Sequence, residues 1–424
     1  MSDRPPQSPV APVGARISLV SLIAGIYPSR SYPSIVSLSI LRFDRLSLLS
    51  TRSVYQFVVS AGIVQHLDVP RTHKVEMETP MRQRFEEYIF GLQEEIITSF
   101  EKLDPNAPTF KRDSWLREQG GKGVSGIFYA PPPGDASPTQ QTVLEKAGVN
   151  ISVVHGMLPP AAIKEMRADH SSIPYDEKTS LPFFAAGISL VVHPRNPHAP
   201  TVHANYRYFE ITEKAVEGEG TAKVVAWWFG GGCDLTPSYL YEEDARHFHT
   251  TLQNTCNQHG TELYPAFKKW CDEYFYIVHR QETRGIGGLF FDDLSTEKHA
   301  RLSDDVERPR SPEAIFGFIK ALGNSFIPSY LPILERRMSM PSTDQQRRWQ
   351  LLRRGRYVEF NLVYDRGTKF GLKTPSARIE SILMSLPETA RWEYMTVMGS
   401  DPESEEGRLV AVLKQPIDWA GLDK

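Results

Sequence analysis

The feature that most constrains the fold is a series of strand-like segments in the middle of the chain. Runs that alternate apolar and polar residues, or that are short and apolar, occur at residues 149–154, 187–193, 202–211, 223–229, 289–292 and 357–364. Consecutive strands without regular intervening helices favour antiparallel pairing, because a parallel pair needs a long crossover connection. The sequence therefore predicts an α+β fold, a large antiparallel sheet flanked by helices on both faces.

Helices that could cover such a sheet are predicted on either side of the strands. Apolar residues recur at helical spacing over residues 81–103, with Glu and Gln on the other face. Further helices are predicted at residues 242–259, closed by Gly260, and at residues 265–280, with Pro265 in the first turn. The patterns at residues 312–338 and 343–353 predict two more.

The composition excludes several classes of protein. The chain has 424 residues and a formal charge of -3, so it offers no broad positive surface for nucleic acid. Three cysteines are too few for a disulfide framework or a Cys-rich zinc site. The length suits either two domains or one large domain. We expect one domain over residues 76–424.

The first 70 residues have a different composition from the rest. They contain six Arg, no Lys, thirteen Ser and only three acidic residues. This composition is typical of an organelle transit peptide, and a disordered extension is the alternative. Residues 17–41 carry a single charge, but their Ser residues and two prolines argue against a membrane span. We expect a transit peptide or disordered extension over residues 1–75, and no transmembrane segment.

The predicted strand at residues 202–211 places three polar side chains on one face. His203, Asn205 and Arg207 share that face because side chains alternate along a strand. An imidazole, an amide and a guanidinium could together move a proton and bind a carboxylate. A solvent-exposed polar strand would show the same pattern, so both interpretations stay open. By the same alternation, Ser189 and His193 share a face of another predicted strand.

Two glycine-rich segments do not match known nucleotide-binding motifs. Residues 227–234 run a strand into three glycines and Asp234, but no Gly-Lys-Ser/Thr follows. Residues 284–288 follow a helix and lead into a strand, which is the reverse of the order in dinucleotide-binding folds. The three glycines would either form a tight turn or let the backbone approach a flat ligand. Neither nicotinamide nor flavin binding is expected.

Longer segments resemble the oxygen-dependent coproporphyrinogen III oxidases. The matching segments are residues 227–237, 268–275, 284–294 and 354–362, and the resemblance spans about residues 80–420. This family converts two propionates of coproporphyrinogen III into vinyl groups with O2, giving protoporphyrinogen IX, CO2 and H2O2 in haem biosynthesis. The resemblance implies O2 as co-substrate, no organic cofactor, no tightly bound metal, and a catalytic domain over residues 76–424. It also implies a homodimer formed through about residues 357–392.

The resemblance implies roles for individual residues. His203 matches the proton donor, Asp234 matches a carboxylate that faces the pyrrole nitrogens, and Arg207 belongs to the same catalytic group. The implied substrate contacts are Ser189, Asn205, Tyr206, Arg207, Ser376, Ala377 and Arg378. Ser376 and Ala377 stand where the family has Gly-Gly or Gly-Ser, so close backbone approach is not assured there. A set of metal-binding histidines would match His193, His203, His249 and His279, although a metal on His203 would compete with proton transfer.

Two other functions fit the same residues. A metal-dependent hydrolase could be built on His193 and His203, and a tetrapyrrole carrier could use the arginines without catalysing a reaction.

The cellular location depends on whether residues 1–75 are a transit peptide. A transit peptide would direct the protein to the mitochondrial intermembrane space, and without one the protein would be cytoplasmic.

Overall fold

The computed structural model describes residues 79–118, 120–131, 141–167, 173–174, 178–214, 222–373 and 377–421. The predicted N-terminal extension at residues 1–75 and the candidate residue Ser376 lie outside these ranges. The described residues from Pro80 onward belong to one compact unit.

A seven-stranded antiparallel sheet lies at the centre of the described chain. Its strands are β1 (Lys111–Leu116), β2 (Gly121–Tyr129), β3 (Leu144–Leu158), β4 (Leu181–Pro194), β5 (Thr201–Thr212), β6 (Val224–Thr236) and β9 (Gly288–Leu294). They are ordered β1-β2-β3-β4-β5-β6-β9, and β7 (Tyr276–Ile277) and β8 (Glu282–Thr283) form a separate hairpin. The predicted antiparallel α+β fold is confirmed. Four of the predicted strands lie within β3, β4, β5 and β9, and the one predicted at residues 223–229 begins one residue before β6.

The helices pack on both faces of the sheet. They are α1 (Met81–Leu103), α2 (Pro160–Met166), α3 (Glu242–Asn257), α4 (Leu263–Tyr274), α5 (Pro312–Asn324), α6 (Phe326–Arg337), α7 (Asp344–Val363), α8 (Arg366–Lys373), α9 (Ile379–Leu383) and α10 (Glu405–Lys414). The predicted helix at residues 265–280 is shorter than expected, because the β7–β8 hairpin follows α4. None of the helices in the described ranges is long and apolar enough to cross a bilayer.

The prediction of a strand at residues 357–364 was wrong. This segment is the last part of α7, whose start is fixed by a capping box between Thr343 and Gln346. Burial along α7 recurs at Arg353, Tyr357 and Phe360, which is helical spacing, while Leu362 and Val363 are exposed. An apolar run this short does not distinguish a strand from a helix, and packing against the sheet decides between them.

The three glycines, for which a tight turn was one of two interpretations, lie inside β6. Gly230 is required there by a close approach: an added Cβ would lie 2.4 Å from Asp292 Oδ1 and 2.8 Å from Arg207 Nε. The β6–β9 pairing is irregular between Phe229 and Gly231, which is typical of a β-bulge. The three glycines therefore make this part of the sheet flat and free of side chains.

The two faces of the sheet carry different residues. On β5, the even-numbered Ala204 and Tyr206 point into the main apolar core, together with residues of α1, α3, α5 and α6. The odd-numbered His203, Asn205 and Arg207 point to the opposite face, where α7, α8 and α9 lie above the sheet. The predicted alternation of β5 is thus correct, and the polar face is covered rather than open to solvent on all sides.

Candidate active site

A cavity of about 750 Å³ lies between the polar face of the sheet and helices α7 to α9. This volume lies within the range usual for small-molecule sites. The part of the cavity made by strands β3 to β6 and β9 is here called the cavity floor. The polar side chains that line the cavity include Asn150, Ser189, His203, Asn205, Arg207, Arg284, Asp292, Tyr357, Asn361, Arg366 and Arg378.

Strand register brings the predicted residues of the floor together. Ser189 on β4 lies opposite Asn205 on β5, and Asn205 lies opposite Gly232 on β6. One row further along, His203 lies opposite Asp234. Directly opposed residues point to the same face of the sheet, so the polar groups form rows across the floor.

His203, Asp234 and Arg284 form a hydrogen-bonded array. His203 Nδ1 lies 2.8 Å from Asp234 Oδ1, and Arg284 donates to both carboxylate oxygens at 2.9 and 3.1 Å. Burial alone would raise the pKa of Asp234, but Arg284 and His203 outweigh it, so the pKa is lowered. With Nδ1 directed to a carboxylate, His203 keeps Nε2 for a ligand, since this atom has no hydrogen-bond partner in the described chain.

This geometry changes the role expected for Asp234. The side chain is 1% exposed, does not line the cavity, and uses both oxygens on protein groups. A direct contact between Asp234 and the pyrrole nitrogens of a bound ring is therefore not supported. The carboxylate instead holds the imidazole of His203 through the Nδ1 hydrogen bond, an arrangement also found in Ser-His-Asp triads.

Arg284 was not identified as a candidate residue from the sequence. Its guanidinium carbon lies 3.9 Å from the ring centroid of Phe275, 4.7 Å from that of Tyr357 and 4.9 Å from that of Phe360. Its Nη1 also donates to Asn361 Oδ1 at 2.9 Å. In the sequence, the signal that could have identified Arg284 is its place as the first residue of segment 284–294, which resembles the family.

Arg207 forms a second charged pair on the floor. Its Nη2 lies 2.9 Å from Asp292 Oδ2, and its Nη1 donates to Asn205 Oδ1 at 3.0 Å. Burial raises the pKa of Asp292, and the positive charge of Arg207 opposes this rise. Because the Arg207 side chain is 30% exposed, its guanidinium can also reach a ligand carboxylate. Asp292 is a further residue that the sequence alone did not identify.

The remaining predicted contacts separate into two groups. Ala377 and Arg378 line the cavity, and Arg378 Nη2 bonds to Asp113 Oδ2 at 2.5 Å while its guanidinium lies over the Trp115 ring. Tyr206 points to the other face of the sheet, where its hydroxyl donates to the Leu322 carbonyl. The side chain of Tyr206 therefore does not contact the cavity, because strand alternation directs it into the core.

The four histidines of the metal hypothesis do not come together. His193 bonds to Thr201 and the Ser385 carbonyl, and His249 bonds to Tyr264 and the Ile286 carbonyl. His279 bonds to a different pair of residues, Glu359 and Tyr364. Burial, with nearby Arg354 for His193 and Lys268 for His249, lowers both pKa values to about 3. Over the described residues, no set of three His, Cys, Asp or Glu side chains could hold a metal ion, so these residues do not fit one.

We expect Arg284→Met to destabilise the protein by about 3–5 kcal/mol, because it leaves the buried Asp234 carboxylate without its main partner. The double variant Asp234→Leu/Arg284→Met should recover a large part of that loss, since no buried charge then remains unpaired. Urea unfolding of the wild type and both variants measures the difference. Equal stability of Arg284→Met and the wild type would contradict this account.

Comparisons with known proteins identify the family of this chain. The family model described as coproporphyrinogen III oxidase matches residues 84–419. The oxygen-dependent coproporphyrinogen-III oxidase of Drosophila melanogaster is 51% identical over 339 residues, covering 80% of this chain and 78% of the relative. The mitochondrial enzyme of Homo sapiens is 48% identical, covering 80% and 67%, and the chloroplastic enzyme of Glycine max is 43% identical, covering 95% and 98%. The chain therefore belongs to the coproporphyrinogen III oxidase family.

Proposed function

We propose that this protein is an oxygen-dependent coproporphyrinogen III oxidase that produces protoporphyrinogen IX in haem biosynthesis. The observation that carries the proposal is the His203–Asp234 pair beside a cavity with arginines at its floor and its edge. Each propionate would lose CO2 and become a vinyl group. One hydrogen of the β-carbon leaves together with two electrons, formally as hydride. This hydride and one proton reduce one O2 to H2O2.

The cavity suits a large, flat, multiply charged ligand. Gly231 and Gly232 line the cavity and, without side chains, give the macrocycle a flat surface against which to lie. Arg207 at the floor and Arg378 near β1 can bind two of the four carboxylates. Asn205 and Ser189 add neutral hydrogen-bonding groups between them. The protein thus needs only a local concentration of positive charge, which agrees with its net charge of -3.

His203 is the proposed proton carrier. Asp234 accepts a hydrogen bond from Nδ1, which leaves Nε2 to exchange a proton with the substrate or with the reduced oxygen. The lowered pKa of Asp234 keeps that carboxylate ionised while His203 gains or loses its proton. Asp234 is therefore a positioning residue in this proposal, and His203 and Arg207 are the catalytic residues.

No organic cofactor and no tightly bound metal take part in the proposed reaction. The reduced macrocycle is electron-rich and supplies the electrons, and oxygen accepts them. The protein's contribution is to hold the substrate in one orientation and to keep water from the reacting propionate. This proposal rests on the donor set: three of the four candidate histidines use both ring nitrogens on protein groups.

Oxygen uptake by purified, chelator-treated protein with coproporphyrinogen III tests the proposal, with the products separated by chromatography. We expect one O2 consumed for each vinyl group formed. His203→Asn and Asp234→Asn should lower kcat by about 10²- to 10⁴-fold, because proton transfer fails or loses its orientation. Arg378→Met should mainly raise KM, and Lys298→Met, a surface change of equal charge, should leave both constants unchanged.

The same experiment separates the two alternatives. Substrate binding without oxygen uptake would favour a carrier, and activity restored only by added metal would favour a metal-dependent enzyme. Wild-type turnover in His203→Asn would exclude the role proposed for this histidine.

We propose that the protein forms a homodimer through residues 357–392. Support comes from exposed apolar side chains within this segment, at Leu362, Val363, Ile379 and Trp392. Clustered exposed apolar residues are typical of an interaction surface. Light scattering after size-exclusion chromatography should give twice the chain mass of 48.0 kDa. The double change Leu362→Asp/Val363→Asp should give the monomer mass, and a wild-type monomer would refute the proposal.

We propose that residues 1–75 are a transit peptide and residues 76–424 the catalytic domain, with the mature protein in the mitochondrial intermembrane space. Support comes from the Arg- and Ser-rich composition and from a relative whose name includes mitochondrial. N-terminal sequencing of the protein from fractionated cells should find a start before α1. In isolated mitochondria, added protease should digest the mature protein only after the outer membrane is ruptured. Full-length protein in the cytosol would support the cytoplasmic alternative.

A further inference from the structure

A second, smaller cavity lies outside the candidate active site, and four of its twelve lining residues are basic. It has a volume of about 240 Å³ and shares no lining residue with the larger cavity. We call it the basic cavity. Its lining residues are Arg280, Glu282, Trp349, Leu352, Arg353, Arg356, Thr396, Met398, Gly399, Ser400, Val410 and Lys414. Four of these are cations and one is a carboxylate.

Arg353 is a buried guanidinium whose hydrogen-bonding capacity is only partly used. The residue is 5% exposed, and its Nη1 donates to Glu282 Oε1 at 2.7 Å. Its Nε and Nη2 are buried and have no hydrogen-bond partner in the described chain. Buried donors in proteins are nearly always paired, so two open donors on one side chain indicate a missing acceptor. Together Nε and Nη2 form an edge of the guanidinium that suits an oxyanion.

The protein balances the surrounding charges only in part. Glu359, which does not line the cavity, pairs with Arg280 at 2.7 Å and with Arg356 at 3.1 Å. Glu282 is the one carboxylate that lines the cavity, and it is shared between Arg353 and Arg356 at 2.7 and 4.0 Å. Burial lowers the pKa of Arg356, and the positive charges of Arg280 and Arg353 act in the same direction, so that together they outweigh the opposing effect of Glu359 and Glu282. Lys414 lines the cavity on an exposed side chain at the end of α10, and no ion pair engages it in the described ranges. An anion would relieve this repulsion.

The walls of the basic cavity are held in shape by apolar and backbone contacts. Gly399 has a φ of 81°, and a Cβ there would lie 2.7 Å from the Trp349 ring. This close approach holds the segment around Thr396 and Ser400 beside α7, with two hydroxyl groups next to the arginines. The Ser400 hydroxyl already donates to the Val397 carbonyl, so the neutral donor of the cavity is the Thr396 hydroxyl, which accepts from Met398 N. Fixed walls, several cations and a neutral donor are the composition expected of an anion site.

We propose that the basic cavity binds a small oxyanion, a phosphate or a polycarboxylate, through Arg353, Arg356 and Lys414. This site is separate from the site of the proposed reaction and goes beyond the proposed function. The oxyanion accepts hydrogen bonds from the Nε and Nη2 edge of Arg353 and is held by the charges of Arg356 and Lys414.

Calorimetric titration of the full chain with inorganic phosphate, at low ionic strength, tests the proposal. We expect saturable binding, and a rise of about tenfold or more in Kd for Arg353→Met and for Lys414→Met, because each removes a charged donor. Lys414 is exposed, so its variant keeps the test valid if Arg353→Met fails to fold. Arg348→Met is the matched control: it removes a cation from the same helix that pairs with Glu393 and does not line the cavity.

A parallel titration with citrate identifies the ligand class. Because the arginines of the larger cavity can also bind carboxylates, only citrate binding that Lys414→Met weakens is counted, and such binding tighter than that of phosphate favours a polycarboxylate. The proposal is overturned if neither anion binds saturably to the wild type. It is also overturned if Lys414→Met binds phosphate as tightly as Arg348→Met does. These readouts do not depend on turnover, so they remain informative if the protein proves to have no oxidase activity.

Discussion

The buried ion pair between Asp234 and Arg284 is the interaction on which the rest of the candidate site depends. An isolated charge at such depth would be very unfavourable, and here the carboxylate, Asn361 and three aromatic rings together compensate the guanidinium. The pair joins β6 to the segment that follows β8 and contacts α7 through Tyr357 and Asn361. His203 obtains its orientation from the same carboxylate. One compensated charge pair thus fixes the floor, one wall and the imidazole of His203 relative to one another.

The antiparallel sheet supplies the second constraint, because register decides which side chains can meet. Residues that are distant in the sequence become neighbours in rows, as Ser189, Asn205 and Gly232 do across β4, β5 and β6. A shift of one residue in the β5–β6 pairing would turn His203 away from Asp234 and into the core. The floor therefore combines a polar row with side-chain-free positions, and the opposite face of the same strands carries the main apolar core.

The strands of the sheet centre and the faces of β5 could be predicted from period-two alternation, which depends only on local geometry. β1 could not, because it is a mostly exposed edge strand without an apolar pattern. The last part of α7 was misassigned, since its aromatic run suits either a strand or a helix and tertiary packing decides. The pairing of Asp234 with Arg284 could not be predicted for another reason: Arg284 lies 50 residues further along, and only the completed fold brings the two together.

Helix α7 forms part of the wall of both cavities, with Tyr357 and Asn361 facing the larger one and Arg353 and Arg356 facing the basic one. Each added residue turns an α-helix by about 100° and lengthens it by about 1.5 Å. An insertion or deletion of one residue within α7, before Arg353, would therefore rotate all four side chains out of both walls at once. Substitutions at the exposed positions of α7 are better tolerated by comparison. Insertions and deletions are tolerated in the loops that flank the helix and not within it.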